Sequence, residues 1–250
     1  MAGRTIYIGT AGWSIPRESA DRVQRDGTHL QRYARVLRCA EINSSFHRPH
    51  AAQTYAKWAA ATPRDFRFAV KLPRTITHDL KLRRARLPLE RFLEESAGLG
   101  GKRGPLLVQL PPSLAFDQRV AARFFTLFRE RHDGIAVCEP RHETWFSPAA
   151  AALLVKHRIA RVAADPPPAA GAELPGGWKN VAYFRLHGSP RKYWSRYADG
   201  YIDALARTLL HTADSAEVWC VFDNTASGAA LANALDLHAL TRASGRTRLR

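Results

Sequence analysis

The sequence predicts an α/β protein, a single (β/α)₈ barrel of the TIM type with a missing or very short sixth helix. Three observations predict it: eight short apolar runs, helical patterns between most of them, and a polar residue at the end of nearly every run. A chain of 250 residues is about as long as one such barrel. We therefore expect residues 1–250 to form one domain, ending in a basic tail over about residues 242–250.

The eight apolar runs are the predicted strands. Each run is nearly continuously hydrophobic and is followed by turn residues, as expected for parallel strands buried on both faces. The runs are Ile6–Thr10, Val36–Asn43, Phe66–Lys71, Pro105–Leu110, Ile135–Glu139, Ile159–Asp165, Val181–His187 and Glu217–Asp223. An open doubly wound sheet is the alternative, but its first turn is usually glycine-rich, and Gly9–Gly12 matches that fingerprint poorly.

Six segments between the runs are predicted helices. They are Ala51–Ala61, Leu89–Ala97, Gln118–Glu130, Ala149–His157, Ala198–Leu210 and Gly228–Leu240. Asp117 stands where it can cap the third, and Ser147 followed by Pro148 is typical of the start of the fourth. Three prolines from Pro166 to Pro168 and the pair Gly176–Gly177 separate the sixth and seventh runs, and such residues interrupt a helix. The sixth helix is therefore expected to be absent or a single turn.

The composition describes a folded, strongly basic protein. Hydrophobic residues make up 46% of the chain, which excludes a disordered protein. With 38 Lys and Arg against 22 Asp and Glu, the net charge is +16, which attracts nucleic acid, phosphorylated metabolites or acidic surfaces. Only 7 of the 38 bases are Lys, so an Arg-rich coding bias explains the excess equally well. No membrane partner is expected, because the longest apolar stretch, Ala149–Val155, is far shorter than the ~20 residues that cross a bilayer.

The cysteines favour a reducing compartment. Cys39, Cys138 and Cys220 each lie inside an apolar run, and none forms a Cys-x-x-Cys pair. Free, buried thiols are the interpretation that fits this placement. We therefore expect a cytoplasmic protein without cysteine-bound metal.

Polar residues at the ends of the predicted strands are the candidate site. In a closed parallel barrel these ends surround one mouth, where such enzymes carry out their chemistry. Period-two alternation places Glu41 with Asn43, and Arg185 with His187, on common faces. The candidate catalytic residues are Glu41, Lys71, Glu139, Asp165, His187 and Asp223. The candidate substrate-binding residues are Trp13, Asn43, His78, Gln109, Arg141, Arg185, Lys192, Tyr197 and Asn224.

The loop Gly188–Tyr197 supports an anionic ligand. It alternates basic and aromatic residues, a pattern that suits a phosphate backbone or a stacked base. Together with the predicted helix start at Gly228, it occupies the usual phosphate-binding position of a barrel. For Trp13 and Trp145, packing into the barrel mouth and contact with a ligand are equally compatible with the sequence.

Several motifs resemble a known family. They are G-T-A-G-W-S at Gly9–Ser14, E-I-N-S-S-F at Glu41–Phe46, F-R-F-A-V-K-L-P-R at Phe66–Arg74, I-T-H at Ile76–His78, G-P-L-L-V-Q-L-P-P at Gly104–Pro112, E-P-R-H-E-T-W at Glu139–Trp145, A-A-D-P-P at Ala163–Pro167, Y-F-R-L-H-G at Tyr183–Gly188 and V-F-D-N at Val221–Asn224. In this order they resemble the YecE-like family, a domain of unknown function numbered seventy-two. The resemblance implies a TIM-type barrel and no established activity. The chain departs from the family where Ile15–Arg25 is polar and where His47 replaces an aromatic residue.

Three functions remain open. The first is an enzyme acting on a phosphate-bearing or nucleic-acid substrate, a hydrolase if the acidic residues and His187 hold a divalent metal. The second is a metal-free enzyme on a small sugar or carboxylate, with Glu41 and Glu139 as an acid–base pair and Lys71 or His187 as alternatives. The third is a module that binds an anion without turnover. The mixture of acids, bases and histidine favours an enzyme; metal content and oligomeric state are not predicted.

Overall fold

A computed structural model describes residues 5–247, with side chains described up to residue 243. The predicted basic tail over about residues 242–250 therefore lies almost entirely outside the described side chains. The sheet within residues 5–247 has ten strands. They are β1 Ile6–Ala11, β2 Cys39–Ile42, β3 Arg67–Lys71, β4 Arg103–Gln109, β5 Ala136–Glu139, β6 Ala160–Arg161, β7 Ala163–Asp165, β8 Gly176–Gly177, β9 Val181–Leu186 and β10 Glu217–Phe222.

The sheet curls into a barrel that closes through one interrupted strand. Its hydrogen-bonded order is β7-β9-β10-β1-β2-β3-β4-β5-β6-β8, and all pairs are parallel except β6 with β8. The predicted strand Ile159–Asp165 is two short strands, because β6 pairs with β5 and β7 pairs with β9. Val162, between them, donates its N–H to the Cys138 carbonyl at 2.8 Å. The sixth strand therefore changes partner at Val162, and the barrel predicted from the sequence is confirmed.

Seven α-helices lie within residues 5–247, on the outside of the sheet. They are α1 His29–Ala34, α2 Ala52–Ala60, α3 Arg86–Ser96, α4 Gln118–Arg131, α5 Pro148–Lys156, α6 Asp199–Thr212 and α7 Ala229–Thr247. Asp117 and Ser147 cap α4 and α5 as predicted, each accepting a hydrogen bond from a backbone N–H of the first turn. In the described segment 166–180 no α-helix forms between β7 and β9, so the missing sixth helix is confirmed.

The sequence analysis did not identify α1. Thr28 and Gln31 form a reciprocal capping box at its start, a signal that the sequence does contain. The predicted second strand began too early, because Val36 and Leu37 donate to the Tyr33 carbonyl and end the helix instead. None of the helices within residues 5–247 combines the length and the apolar character needed to cross a membrane.

The buried residues form two layers separated by the sheet. One cluster lies between the strands and the surrounding helices, and includes the predicted aromatic stripe of α4. The other fills the barrel interior, with Tyr183 and Trp219 stacked at a centroid distance of 6.3 Å and smaller residues above them. All three cysteines are free and buried, as predicted. The last apolar interior residue precedes the charged one by two residues along a strand, as Cys39 precedes Glu41 and Val137 precedes Glu139, which places the charged strand ends directly on the core.

Candidate functional site

Strand register decides which strand-end residues face the barrel interior. Glu41 pairs with Ala69, and Lys71 with Leu107, so both point to the same side as interior core residues. Gln109 pairs with Glu139, and Arg185 pairs with Val221, another interior residue. Parallel strands place register partners on one face, so these side chains form one polar layer above the apolar interior. The mouth predicted from the sequence therefore brings them together.

Arg185 is the centre of this layer. Its guanidinium is 1% exposed and contacts three carboxylates: Nη2 lies 2.6 Å from Glu41 Oε1 and 3.1 Å from Asp223 Oδ2, and Nη1 lies 3.0 Å from Glu139 Oε2. Nε also donates to Glu41, and the Tyr183 hydroxyl donates to Glu41 Oε2 at 2.8 Å. The two Glu41 oxygens are thus both occupied by donors from the chain itself.

Glu139, His187 and Asp223 continue the network on the other side of Arg185. His187 Nε2 lies 2.8 Å from Glu139 Oε1, and Nδ1 lies 3.0 Å from Asp223 Oδ2. A neutral imidazole donates to one of these carboxylates, and an imidazolium donates to both. Arg141 Nη2 adds a contact of 2.7 Å to Glu139 Oε1. We call Glu41, Glu139, Arg185, His187 and Asp223 the paired cluster.

Electrostatics favour the charged form of two carboxylates of the paired cluster, Glu139 and Asp223. Burial alone raises the pKa of Glu139, but Arg185, Arg141 and His187 together hold that pKa well below its ordinary value. The pKa of Asp223 is also lowered, because Arg185 and His187 outweigh its burial. Burial lowers the pKa of Arg185, but the carboxylates of Glu41, Asp223 and Glu139 outweigh it and raise that pKa. The paired cluster therefore places three carboxylates around one guanidinium and one imidazole, and Arg141, outside the cluster, adds a further positive charge at Glu139.

Lys71 faces the same mouth but has no acidic partner in contact. Its Nζ lies 4.0 Å from the centroid of the Phe46 ring and makes no hydrogen bond or ion pair with any residue that the structure describes. Burial and the Arg185 cation lower the pKa of Lys71 to about 8, against the opposing influence of the acids. His78 packs edge-on against the same Phe46 ring, with the two ring centroids 4.9 Å apart.

Arg141 and Lys192 are two further cations at the mouth. The Arg141 side chain is only 6% exposed, yet its Nε has no hydrogen-bond partner among the described residues. Lys192 is exposed on the loop after β9, and the pKa of its amine is lowered by partial burial and by Arg141. Tyr193 in the same loop lies edge-on to His187, 5.5 Å away, and covers part of the paired cluster. We call Lys71, Arg141 and Lys192 the unpaired cations, a name that for Arg141 refers to its Nε, since its Nη2 contacts Glu139.

Asp165 and Tyr197 lie away from the paired cluster. Asp165 pairs with Leu186, whose side chain belongs to the layer beneath the helices, so Asp165 points out of the barrel. Its carboxylate accepts a hydrogen bond from the Tyr197 hydroxyl at 2.7 Å. That hydroxyl also accepts from the Gly188 N–H at 2.9 Å. This pair fixes the start of the loop after β9, and the structure does not bring Asp165 to the predicted catalytic group.

Of four other predicted binding residues, two line a cavity at the rim of the mouth and two are bonded to neighbouring parts of the chain. Asn224 is buried and donates to the Ser195 carbonyl and to Asn233, so it holds the loop after β9. Trp13 packs edge-on against Trp58 at 5.2 Å and lines, with Asn43, a cavity of about 370 Å³ at the rim of the mouth. Asn43 Nδ2 reaches Asp223 Oδ1 at 3.5 Å. Gln109 donates to the adjacent Leu110 carbonyl.

Sequence reasoning missed two residues of the site. Tyr183 is wholly buried and bonds Glu41, but a tyrosine inside an apolar run gives no polar signal in the sequence. Phe46 supports Lys71 and follows β2 by only four residues, within a short turn of helix over Ser44–Phe46. Its position directly after the predicted polar strand end was the available signal.

No metal centre is evident in the described part of the chain. Residues 5–243 contain no group of three or more His, Cys, Asp or Glu side chains placed to hold a metal ion. The geometry explains this result, because Arg185 lies between the acidic side chains and occupies oxygens on all three. A divalent cation at that position would have to displace a guanidinium that is buried and fully engaged.

Comparison with known sequences gives one family. The sequence profile described as "Protein of unknown function DUF72" matches residues 7–249. Two curated relatives, the UPF0759 proteins YecE of Escherichia coli K12 and of Escherichia coli O157:H7, are each 34% identical over 106 residues. That alignment covers 42% of this chain and 38% of each relative, so the chain spans well under half the length of the relatives it matches.

Comparison with solved structures shows the fold. A DUF72 family protein from Enterococcus faecalis V583 superimposes with a TM-score of 0.79 at 22% identity, covering 95% of this chain and 96% of the other. A DUF72 family protein from Thermotoga maritima MSB8 gives a TM-score of 0.79 at 23% identity, covering 96% and 100% respectively. At these identities the likeness concerns the barrel and does not extend to an activity.

Proposed function

The chain belongs to the DUF72 family, and from that premise we propose that its barrel mouth is a metal-free enzyme site for a small molecule carrying a phosphate or carboxylate group. The C-terminal mouth is where barrel enzymes of many unrelated activities bind their substrates. The unpaired cations bind the anionic group in this proposal. The paired cluster holds the mouth in shape, and Lys71 is the group available to exchange a proton with the substrate.

The balance of charge supports an anionic ligand. Glu41, Glu139 and Asp223 supply three negative charges, and the single positive charge of Arg185 contacts all three of them. Arg141 shares Glu139 with Arg185, while Lys71 and Lys192 have no carboxylate within ion-pair distance among the described residues. The mouth therefore carries more positive than negative charge. The excess comes from Lys192, which is exposed on the loop after β9, and an excess of positive charge at a cleft attracts an anion from solvent.

The Arg141 Nε is the observation that carries the proposal. A guanidinium that is 6% exposed and leaves one N–H unsatisfied costs free energy unless a ligand completes it. Arg binds phosphate and carboxylate groups through charge-assisted N–H donors, and the Nε of Arg141 is such a donor without a partner among the described residues, whereas its Nη2 already contacts Glu139 and His187. Its position inside the mouth also favours a single anionic group over a long polyanion lying across the surface.

The hydrolase and acid–base alternatives are weighed by the same contacts. Metal-assisted hydrolysis needs carboxylate oxygens free for a cation, and those of the paired cluster are bonded to Arg185, Arg141 and His187. A Glu41–Glu139 acid–base pair needs a carboxylate that can accept a proton, but Tyr183 and Arg185 occupy Glu41. We therefore assign these acids to positioning. A cytoplasmic location remains part of the proposal.

Binding of inorganic phosphate tests the proposal directly. Calorimetry should show saturable binding of one phosphate per chain, weakened at least about tenfold in Arg141→Met, because a hydrogen bond to a charged group contributes about 1.5–3 kcal/mol. Arg123→Met is the matched control, since Arg123 is exposed on α4 and carries the same charge. Equal affinity in both variants, or no saturable binding, would overturn the proposal.

Salt dependence distinguishes a small anion from nucleic acid. A single bound phosphate responds weakly to ionic strength, whereas a nucleic acid that contacts several phosphates loses affinity steeply between low and moderate salt. Titration of a short single-stranded DNA at two salt concentrations supplies the comparison. Steep salt dependence that survives Arg141→Met would place the ligand on the basic outer surface and remove the mouth from the proposal.

A further inference from the structure

We propose that Lys71 forms an imine with the carbonyl carbon of an aldehyde or ketone that carries an anionic group. The inference rests on the proposed function for the anionic part of the ligand. It adds a covalent step and a substrate class, because an acid–base lysine needs no carbonyl in its substrate. A lysine becomes a nucleophile of this kind when it is desolvated or lies near another cation.

The surroundings of Lys71 leave its nitrogen free to react. The amine lies 4.0 Å from the Phe46 ring centroid, and no carboxylate or carbonyl of the described residues accepts a hydrogen bond from it. Lys102 shows the opposite arrangement, since its amine donates to the Ala59 and Thr62 carbonyls at 2.6 Å each. Lys102 is held as a structural cation, whereas the lone pair of Lys71, once deprotonated, faces the mouth.

Burial and one nearby cation favour the neutral amine of Lys71. Burial lowers the pKa of Lys71 first, and the buried Arg185 lowers it further, to about 8. Compared with an ordinary lysine near 10.4, such an amine is about two-hundredfold more abundant in its unprotonated form at pH 7.5. Arg185 is itself fixed by three carboxylates, so the cation that acts on Lys71 cannot move away. Burial and Arg185 therefore activate the lysine, against the opposing influence of the three acids, while Arg185 remains outside the reaction.

The chemical step is balanced without a cofactor. The Lys71 nitrogen attacks the carbonyl carbon, and a new C–N bond forms as the carbonyl oxygen takes up a proton. Loss of water, which carries away the carbonyl oxygen and both amine protons, leaves a C=N double bond. No electrons are gained or lost overall. Hydrolysis reverses the step, and a hydride donor added from outside reduces the imine to a stable secondary amine.

Reductive trapping tests the inference on the intact protein. Pyridoxal 5′-phosphate supplies an aldehyde with a phosphate, pyridoxal supplies the same aldehyde without it, and borohydride fixes whatever imine has formed. Peptide mass spectrometry then locates the adduct among the chain's seven lysines. We expect Lys71 to be labelled at least tenfold faster than each of the other six. The rate should rise with pH toward a half-maximum near pH 8, where the neutral amine forms.

Variants separate the imine from the anion site. Lys71→Arg should abolish the fast labelling, while Lys102→Arg should leave it unchanged. Arg141→Met should slow labelling by pyridoxal 5′-phosphate at least tenfold and labelling by pyridoxal less than twofold. The wild-type mapping needs no variant, so a folding defect in any of them leaves the inference testable.

Each outcome has one meaning. Fast labelling of Lys71 by both probes, indifferent to Arg141→Met, supports the imine and overturns the phosphate site. Slow labelling of Lys71 in a protein that still binds phosphate overturns the imine and leaves the proposed function standing. Preferential labelling of the exposed Lys192 would also overturn the inference, because it would show that exposure decides reactivity in this mouth.

Discussion

The barrel mouth contains two regions that differ in how their charges are satisfied. In the paired cluster, Arg185 and His187 are at most 1% exposed and every carboxylate is bonded. Among the unpaired cations, the Arg141 Nε and the Lys71 Nζ lack hydrogen-bond partners in the described part of the chain. Both regions come from the same strand-end positions. The difference indicates that burial with full pairing builds the scaffold, and burial without pairing prepares a site for a ligand.

The largest expected effect is the loss of the centre of the paired cluster. Arg185→Met leaves three buried carboxylates without their cation, and breaking a buried pair in this way costs about 3–5 kcal/mol. Urea denaturation should report that decrease in the free energy of unfolding. Arg123→Met, on the exposed face of α4, should change it by less than about 0.5 kcal/mol. A loss below about 1 kcal/mol in Arg185→Met would show that the acids do not depend on it.

Acid should destabilise the protein through the paired cluster. The pKa values of Glu139 and Asp223 are lowered in the folded state, so their contribution is present above the unfolded-state pKa near 4 and is lost as the pH falls below it. The free energy of unfolding should therefore drop between about pH 5 and pH 3. Glu139→Gln should flatten that slope by about one proton. An unchanged slope would mean that other carboxylates carry the acid sensitivity.

A rise in pH above about 8 should stabilise the protein through Lys71. The folded-state pKa of Lys71 is about 8 instead of 10.5, so between these values the unfolded chain binds the extra proton. Stability should rise with pH across that window, by on the order of 1–3 kcal/mol. Lys71→Met should remove the rise and should be at least as stable as the wild type at pH 7. If Lys71→Met were instead destabilised by 2 kcal/mol or more, Lys71 would belong to the scaffold.

The smallest effect is expected outside both regions. Tyr197→Phe removes the hydrogen bonds to Asp165 and to Gly188 and should cost about 1 kcal/mol of stability. Phosphate affinity should stay within twofold of the wild type, since Tyr197 is 3% exposed and holds the loop from beneath. A large loss of phosphate affinity in Tyr197→Phe with little loss of stability would show that Tyr197 contacts the ligand.

Most of the fold and part of the site could be predicted from the sequence. Apolar runs mark buried parallel strands directly, and period-two alternation correctly places Arg185 with His187. Asp165 does not reach the mouth. The interior positions of its strand are Ala160, Val162 and Ala164, so the side chain of Asp165, one residue later, points away from the barrel interior. Alternation within one run cannot show which face is the interior. That information lies in the pairing with neighbouring strands.

The pairing of charges was beyond prediction for a related reason. Strand ends rich in acids and bases are compatible with a metal site, an acid–base pair or an internal salt-bridge network. Only the distances around Arg185 distinguish these, and they depend on which strands face each other across the barrel. Tyr183 and Phe46 were missed because an apolar or aromatic residue beside a strand end looks the same whether it packs in the core or supports a reactive group.

The interrupted sixth strand, β6 and β7, leaves few backbone hydrogen bonds between β5 and β9, and this join lies next to the buried ion pairs of the paired cluster. Only two register pairs hold β6 to β5, and three hold β7 to β9. Arg185 in β9 and His187 directly after it both bond Glu139, which ends β5. These ion pairs therefore span the join from above, and separating its two sides would pull opposite charges apart inside a dry interior. Arg141 also contacts Glu139 Oε1, at 2.7 Å, so it adds a further positive charge on the β5 side of the join.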